Sequence, residues 1–247
     1  MPDPAHRFLR ARADPALAVL EGFHPLKHAL RFGAEVLDVI SPDAAAVLAL
    51  AAALAPDVAP ALASRMREVT AEEFARSAPT PGRPPVLALA RRPAPDPSAL
   101  LAAPGETPII FLEHPNHLGN LGAVIRVAAA AGATGVISSG DRDPWHPTAL
   151  RGSAGLHFAL SVARVESLPP SSRPLVAADP EGPPFWRAEI PGRAILAFGS
   201  ERQGLSPALL ARADLRVGIP MRTGVSSLNL ATAAAVLLYA SRGPHHG

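Results

Sequence analysis

The stretch IPMRTGVSSLNLATAAAVLLYA, Ile219 to Ala240, decides how the C-terminal half of this chain is read. Its second half is an apolar run of helical character, and its first half is a polar loop. Ser226, Ser227 and Asn229 stand immediately before the helix. Ser and Asn at a helix start accept hydrogen bonds from backbone N–H groups that lack a partner inside the helix. Capping alone would account for such residues. Whether the loop does more depends on what the rest of the chain places beside it.

Upstream of that stretch, short apolar runs alternate with helical patterns. TPIIFLEH, TGVISSG, FALSVARV, PLVAAD, RAILAFGS and LRVGIP read as strands. NLGAVIRVAAAAGA reads as a helix stopping near Gly132, HPTALRGSAG as a short helix, and SPALLARA as a helix capped by Ser206. This alternation predicts an α/β domain with a parallel sheet. In such sheets ligands bind beyond the carboxyl ends of the strands.

The first hundred residues have a different texture. In LAVLEGFHPLKHALRFGAEVLDVIS, Leu26, Ala29 and Leu30 recur at helical spacing, Gly33 ends the helix, and EVLDVI follows as a strand. DAAAVLALAAAL and LASRMREV read as helices. TAEEFARSA opens with Thr70 and has Glu73 three residues on, a capping box. PPVLALARR reads as a strand. Residues 91–108, RRPAPDPSALLAAPGETP, are rich in proline and turn residues and read as a linker. Two domains follow, 1–103 and 104–247, the first a smaller α/β unit of ordinary domain size. The tail SRGPHHG reads as frayed.

Composition narrows the function classes. The chain has 247 residues, enough for a self-sufficient core, and no cysteine, which excludes a disulfide framework and any thiolate metal site. No apolar run reaches membrane-spanning length, and the N-terminus lacks a signal-peptide layout, so the protein is expected in the cytoplasm. The net charge is +2, and Lys27 is the only lysine. Arginine suits phosphate recognition, yet so small a net charge is no nucleic-acid signature in itself.

Three loops at strand ends combine glycine with polar side chains. HLGNLGAVIR, 117–126, carries Asn120 and Gly122 at a strand-to-helix junction and Arg126 on an otherwise apolar helix. FGSERQG, 198–204, brackets Glu201 with Gly199 and Gly204. The third is the loop before Leu230. Each has an ordinary structural explanation: tight turns, a cap, or an ion pair between Arg126 and Glu201. Together, at the carboxyl ends of strands in one domain, they have the layout of a site. There is no phosphate-binding P-loop, no dinucleotide fingerprint and no nucleophile elbow. His114 and His117 in EHPNH have no further ligands at metal spacing, so no metal is expected.

In order and position these loops resemble the three motifs of the SpoU/TrmH family of RNA 2′-O-ribose methyltransferases, in the SPOUT class. NLGAVIR resembles the first motif, FGSERQG the second, and IPMRTGVSSLNLATAAAVLLYA, with its Ser-Leu-Asn core, the third. The resemblance covers roughly residues 105–242. The first hundred residues, VLEGFHPLKHALRFGAEVLDVI above all, resemble an L30e-like substrate-binding domain. Where the family often has Asp or Asn followed by Pro in its first motif, this chain has His117-Leu118.

The resemblance implies a trefoil-knotted C-terminal domain, S-adenosylmethionine as cofactor, structured RNA as substrate with ribosomal RNA before transfer RNA, and a homodimer. It implies active-site roles for Asn120, Arg126, Glu201, Ser227 and Asn229. It implies cofactor contacts from Ala178, Gly199, Glu201, Ile219, Met221, Ser227 and Leu228. In that reading Arg126 binds a phosphate and orients the ribose hydroxyl, and no metal takes part. The alternatives are an RNA-binding module of the same fold without catalysis, and a SPOUT enzyme that methylates a base.

Overall fold

The computed structural model describes residues 4–78 and 84–241; the tail from 242 onward, expected to fray, lies outside the described residues. The elements in chain order are α1 (Pro4–Ala11), β1 (Leu17–Glu21), α2 (Phe23–Arg31), β2 (Val36–Ser41), α3 (Ala44–Leu54), α4 (Ala59–Ala63), β3 (Met66–Glu68), α5 (Ala71–Ser77) and β4 (Leu87–Arg91). They continue with α6 (Pro97–Ala102), β5 (Ile109–Leu112), α7 (Leu118–Ala130), β6 (Gly135–Ser139), α8 (Pro147–Gly152), β7 (Ser161–Val165), β8 (Leu175–Ala178), β9 (Ile195–Phe198), α9 (Pro207–Arg212), β10 (Leu215–Val217) and α10 (Leu230–Ala240).

The chain forms two compact units, one of residues 1–94 with 145–159, the other of residues 95–144 with 160–247. The first holds a four-stranded sheet ordered β1-β4-β2-β3, in which β4 runs antiparallel to both neighbours and β2 pairs parallel with β3. Phe8, Val19, Ile40, Phe74, Leu87 and Leu89 lie in its core. The capping box forms as the sequence predicts: Thr70 Oγ1 accepts from Glu73 N, and Glu73 Oε2 accepts from Thr70 N. LASRMREV, expected to be a helix, divides instead. Its start finishes α4, and Met66–Glu68 becomes β3 because Val39 to Ser41 offers a free strand edge. LAVLE, not singled out in the sequence, is β1.

The division differs from a single cut at 103/104 in two ways. First, the proline-rich segment contains α6, capped by Asp96 Oδ1 accepting from Ala99 N at 2.9 Å. Leu100 and Leu101 of α6 are 5% exposed and pack with Ile109, Phe111 and Ile137 in the core of the second unit. Arg173, 3% exposed, ties the segment down. Its Nε donates to Leu101 O at 3.1 Å, Nη2 to Ala103 O at 2.8 Å, and Nη1 to Thr107 O at 2.9 Å and Arg193 O at 3.2 Å. Four carbonyl dipoles thus stand in for a carboxylate partner. Second, after β6 the chain leaves to give residues 145–159 to the first unit. There Arg151 Nη1 donates to Glu21 Oε2 at 2.6 Å, and His28 Nδ1 donates to Ala154 O at 2.6 Å.

The second unit is built on a six-stranded sheet ordered β10-β8-β9-β5-β6-β7, parallel at every pairing. Its central strand β5, IIFL, is buried on both faces, as a continuous apolar run in a parallel sheet requires. β5 and β9 lie side by side with Leu112 opposite Phe198, so the loops after them leave the same edge of the sheet. α7 and α10 pack on each other, which brings the start of α10 to the start of α7.

Candidate active site

The three glycine-polar loops meet. Glu201, in the loop after β9, accepts from Asn120 Nδ2 at 2.9 Å and from Asn116 N at 3.0 Å. Asn229 Nδ2 donates to Asn120 Oδ1 at 3.0 Å. A hydrogen-bonded chain Asn229–Asn120–Glu201 therefore joins one residue from each loop. Asn229 also caps α10: its Oδ1 accepts from Ala231 N at 2.9 Å and Thr232 N at 3.4 Å. Capping and site building are both true of this residue.

Burial alone would raise the Glu201 pKa. Hydrogen bonds from Asn120 and then from the Asn116 N–H outweigh it and hold the carboxyl below its ordinary range. Arg126 takes no part in this chain. It is exposed and makes no hydrogen bond or ion pair among the described residues. The expected ion pair with Glu201 is not formed, because Arg126 lies six residues beyond Asn120, about 9 Å further along α7 and on another face.

The loop after β9 is a tight return. Ser200 N donates to Gly204 O at 3.1 Å, and Gly204 N donates to Ser200 O at 3.0 Å, with Gly204 at φ 69°. Glycine is required at 199, since a Cβ there would overlap the backbone of Gly204 and Leu205. At the loop's far end Ser206 caps α9, and Glu113 holds Ser206.

Beside these loops is a cavity of about 560 Å³, within the usual size of a small-molecule site. Ala178, Gly199, Glu201, Ile219, Met221, Ser227 and Leu228, the residues expected at a cofactor, all line it. Among the lining residues that the sequence reading missed are Asp179, Glu181 and Arg216; Arg216 Nη1 lies 3.5 Å from Asp179 Oδ2. Leu205, Leu230 and Ala233 give an apolar wall. A purine ring, a ribose diol and a positively charged sulfonium with its ammonium group find apolar surface and carboxylates here, so the chemistry of the lining fits S-adenosylmethionine. Among the described residues no group of three or more His, Asp or Glu is placed to hold a metal. No helix among them is long and apolar enough to cross a membrane.

Residues 107–239 match the SpoU rRNA Methylase family, and the chain belongs to that family. It is 37% identical over 142 residues to an uncharacterized tRNA/rRNA methyltransferase of Synechocystis, covering 54% of this chain and 52% of that protein. It is 33% identical over 170 residues to the 23S rRNA (uridine(2479)-2′-O)-methyltransferase of Streptomyces viridochromogenes, covering 63% and 59%. The chain thus spans little more than half the length of these curated relatives. The crystal structure of the SpoU methyltransferase AviRb from Streptomyces viridochromogenes in complex with AdoMet aligns over 95% of this chain and 96% of that one, with TM-score 0.77 and 25% identity.

Proposed function

We propose that this protein transfers a methyl group from S-adenosylmethionine to a ribose 2′-hydroxyl of structured RNA, with ribosomal RNA favoured over transfer RNA. The observation that carries the reading is the Asn229–Asn120–Glu201 chain at the rim of a cavity lined by all seven residues expected at the cofactor. The 23S ribosomal RNA named for the Streptomyces relative supports the choice of substrate.

The cofactor supplies an electrophilic methyl carbon. The chain's own residues have to present a hydroxyl oxygen to it in line and let the proton leave. Arg126, an exposed cation, grips the phosphate beside the target ribose and fixes the hydroxyl's direction. Glu201 keeps Asn120 in place, and Asn120 keeps Asn229. Ser227, exposed and on the cavity wall, offers a hydroxyl to the target nucleotide. Placement of this kind is worth up to about 7–11 kcal/mol of a bimolecular barrier.

The first unit, residues 1–94 with 145–159, serves as the L30e-like domain that selects the RNA, and the second, residues 95–144 with 160–247, carries the chemistry within a trefoil knot. Most arginines of the first unit hold carboxylates, including Arg31, whose Nε and Nη2 both donate to Asp57 at 2.7 Å. Arg10, Arg65 and Lys27 have no carboxylate partner among the described residues, and these are the groups offered to phosphate. The protein acts in the cytoplasm as a homodimer through the second unit. The support for the dimer is α10, which buries Leu230, Ala234, Leu237 and Leu238 and leaves Ala231, Ala233, Ala235 and Val236 partly exposed.

The test is transfer of tritiated methyl from S-adenosylmethionine into RNA, followed by mapping 2′-O-methyl sites in a strain lacking the gene. Label in a base, or none in RNA with folded protein, overturns the proposal. Light scattering at micromolar concentration tests the dimer, and a monomer mass refutes it.

A further inference from the structure

Glu113 is the residue that the three-loop reading passes over. It follows the last residue of β5, and three of its atoms reach across to the loop after β9. Its N–H donates to Phe198 O at 2.8 Å. Its Oε2 accepts from Ser206 N at 2.6 Å and its Oε1 from Ser206 Oγ at 2.7 Å. Phe198 is the last residue of β9 and Ser206 the N-cap of α9. One residue therefore grips both roots of the loop 199–205.

The same stretch of chain grips the middle of that loop, because Asn116 N and Asn120 Nδ2 both donate to Glu201. Within the loop the main-chain ties are the two hydrogen bonds between Ser200 and Gly204. Every residue from Gly199 to Leu205 lines the cavity. A wall so poor in internal ties keeps its shape through what is attached to its ends. Bonds to a carboxylate at these lengths are about twice as strong as neutral ones. A loop left loose would have to be ordered by the ligand, and that ordering is subtracted from affinity.

We propose that Glu113 is a positioning residue for the cofactor cavity: by tying Ser206 to the end of β5 it holds loop 199–205 in its ligand-ready shape and so sets the affinity for S-adenosylmethionine. This rests on the functional reading above. The ties at Ser206 are made by the carboxylate, while the tie at Phe198 is made by the backbone and survives substitution. Glu113→Gln keeps an oxygen for Ser206 N–H and gains an amide that can donate to Ser206 Oγ. Glu113→Ala keeps neither.

The test uses the full chain. S-adenosylmethionine binding is measured by calorimetry well below each variant's unfolding temperature, alongside amide hydrogen exchange at Ser200 and Gly204. Glu113→Ala should weaken binding about tenfold, the equivalent of one lost charge-assisted hydrogen bond, and speed exchange at both amides. Glu113→Gln should recover most of the affinity, which a role in stability alone would not require. Should Glu113→Ala fail to fold, Ser206→Ala removes the hydroxyl tie together with the α9 cap while keeping the Ser206 N–H tie to Glu113, and should weaken binding several-fold. A folded variant with wild-type affinity and wild-type exchange overturns the inference while the functional reading stands. Wild-type protein that binds no S-adenosylmethionine overturns both.

Discussion

Gly199→Ala puts one methyl group where the structure has no room. The new Cβ would overlap Gly204 C, Gly204 O and Leu205 N, well inside the 3.0 Å that real Cβ atoms respect. All three are backbone atoms, so no side chain can rotate away. The chain must either strain or open the return between Ser200 and Gly204. Strain of this kind costs about 1–3 kcal/mol. Opening the return loses two backbone hydrogen bonds, about 0.5–1.5 kcal/mol each. If both are paid in the folded state the loss is about 2–6 kcal/mol, and at roughly 2–4 °C per kcal/mol the unfolding temperature falls by at least about 4 °C. If the loop swings outward instead, stability is partly spared, but the cavity wall made by residues 199–205 moves and cofactor binding weakens. Differential scanning calorimetry and titration with S-adenosylmethionine read the two outcomes separately. A variant that keeps both its unfolding temperature and its affinity refutes the close approach of Gly199 to Gly204 as a requirement of the site.

Arg126→Ala should abolish methyl transfer with fold and cofactor binding intact, since Arg126 is exposed and unpaired among the described residues; Lys should not restore activity, lacking the planar fork, and near-normal methyl incorporation by the Ala variant removes Arg126 from the mechanism. Arg173→Met should destabilise the second unit by about 2–4 kcal/mol, because it strands the carbonyls of Leu101, Ala103, Thr107 and Arg193; an unchanged denaturant midpoint would contradict this. Glu201 has its native pKa below the ordinary value of 4.5, so its stabilisation is complete above about that pH and is lost as pH falls through the lower native value; Glu201→Gln should flatten the acid limb of a stability titration over that window, and an unchanged limb would refute the assignment.

What the sequence showed, and what it could not, follows from the range of each interaction. The capping box at Thr70, the cap at Ser206 and the alternation of strand and helix in 105–242 are local, and all were legible. The three loops were legible as a set because each leaves the carboxyl end of a parallel strand, where topology alone brings such loops together. Glu113 was not legible, since its partner Ser206 is 93 positions away and neither residue has a distinctive neighbour. The pairing of Arg126 with Glu201 was a natural guess from charge, but helix geometry turns the two apart and Asn120 answers Glu201 instead. The fate of residues 91–108 was hidden by composition. Proline and turn residues signal a linker, yet Asp96 and Pro97 open a helix whose leucines are core. The 145–159 excursion and the β3 edge depend wholly on tertiary neighbours, which no spacing rule can supply.

The residue before the closing helix shows how a cap can be told from a cap with a second task. Asp and Asn cap helices about equally well, so capping alone does not ask for an amide. At Asn229 the oxygen is committed to Ala231 N and Thr232 N, which leaves Nδ2 facing Asn120 Oδ1. Asn120 is oriented in turn by Glu201, which can only accept. The amide at 229 is therefore required by the chain of hydrogen bonds rather than by the helix. Asn229→Asp should retain the cap and change stability by less than about 0.5 kcal/mol. It should still cost activity, because it replaces a donor to Asn120 with a carboxylate, setting one acceptor against another. Asn229→Ala should lose the cap as well and fall by about 1 kcal/mol. Circular dichroism melts of both variants, set beside their methyl-transfer rates, separate the two tasks. If Asn229→Asp is as active as wild type, Asn229 is a cap and nothing more.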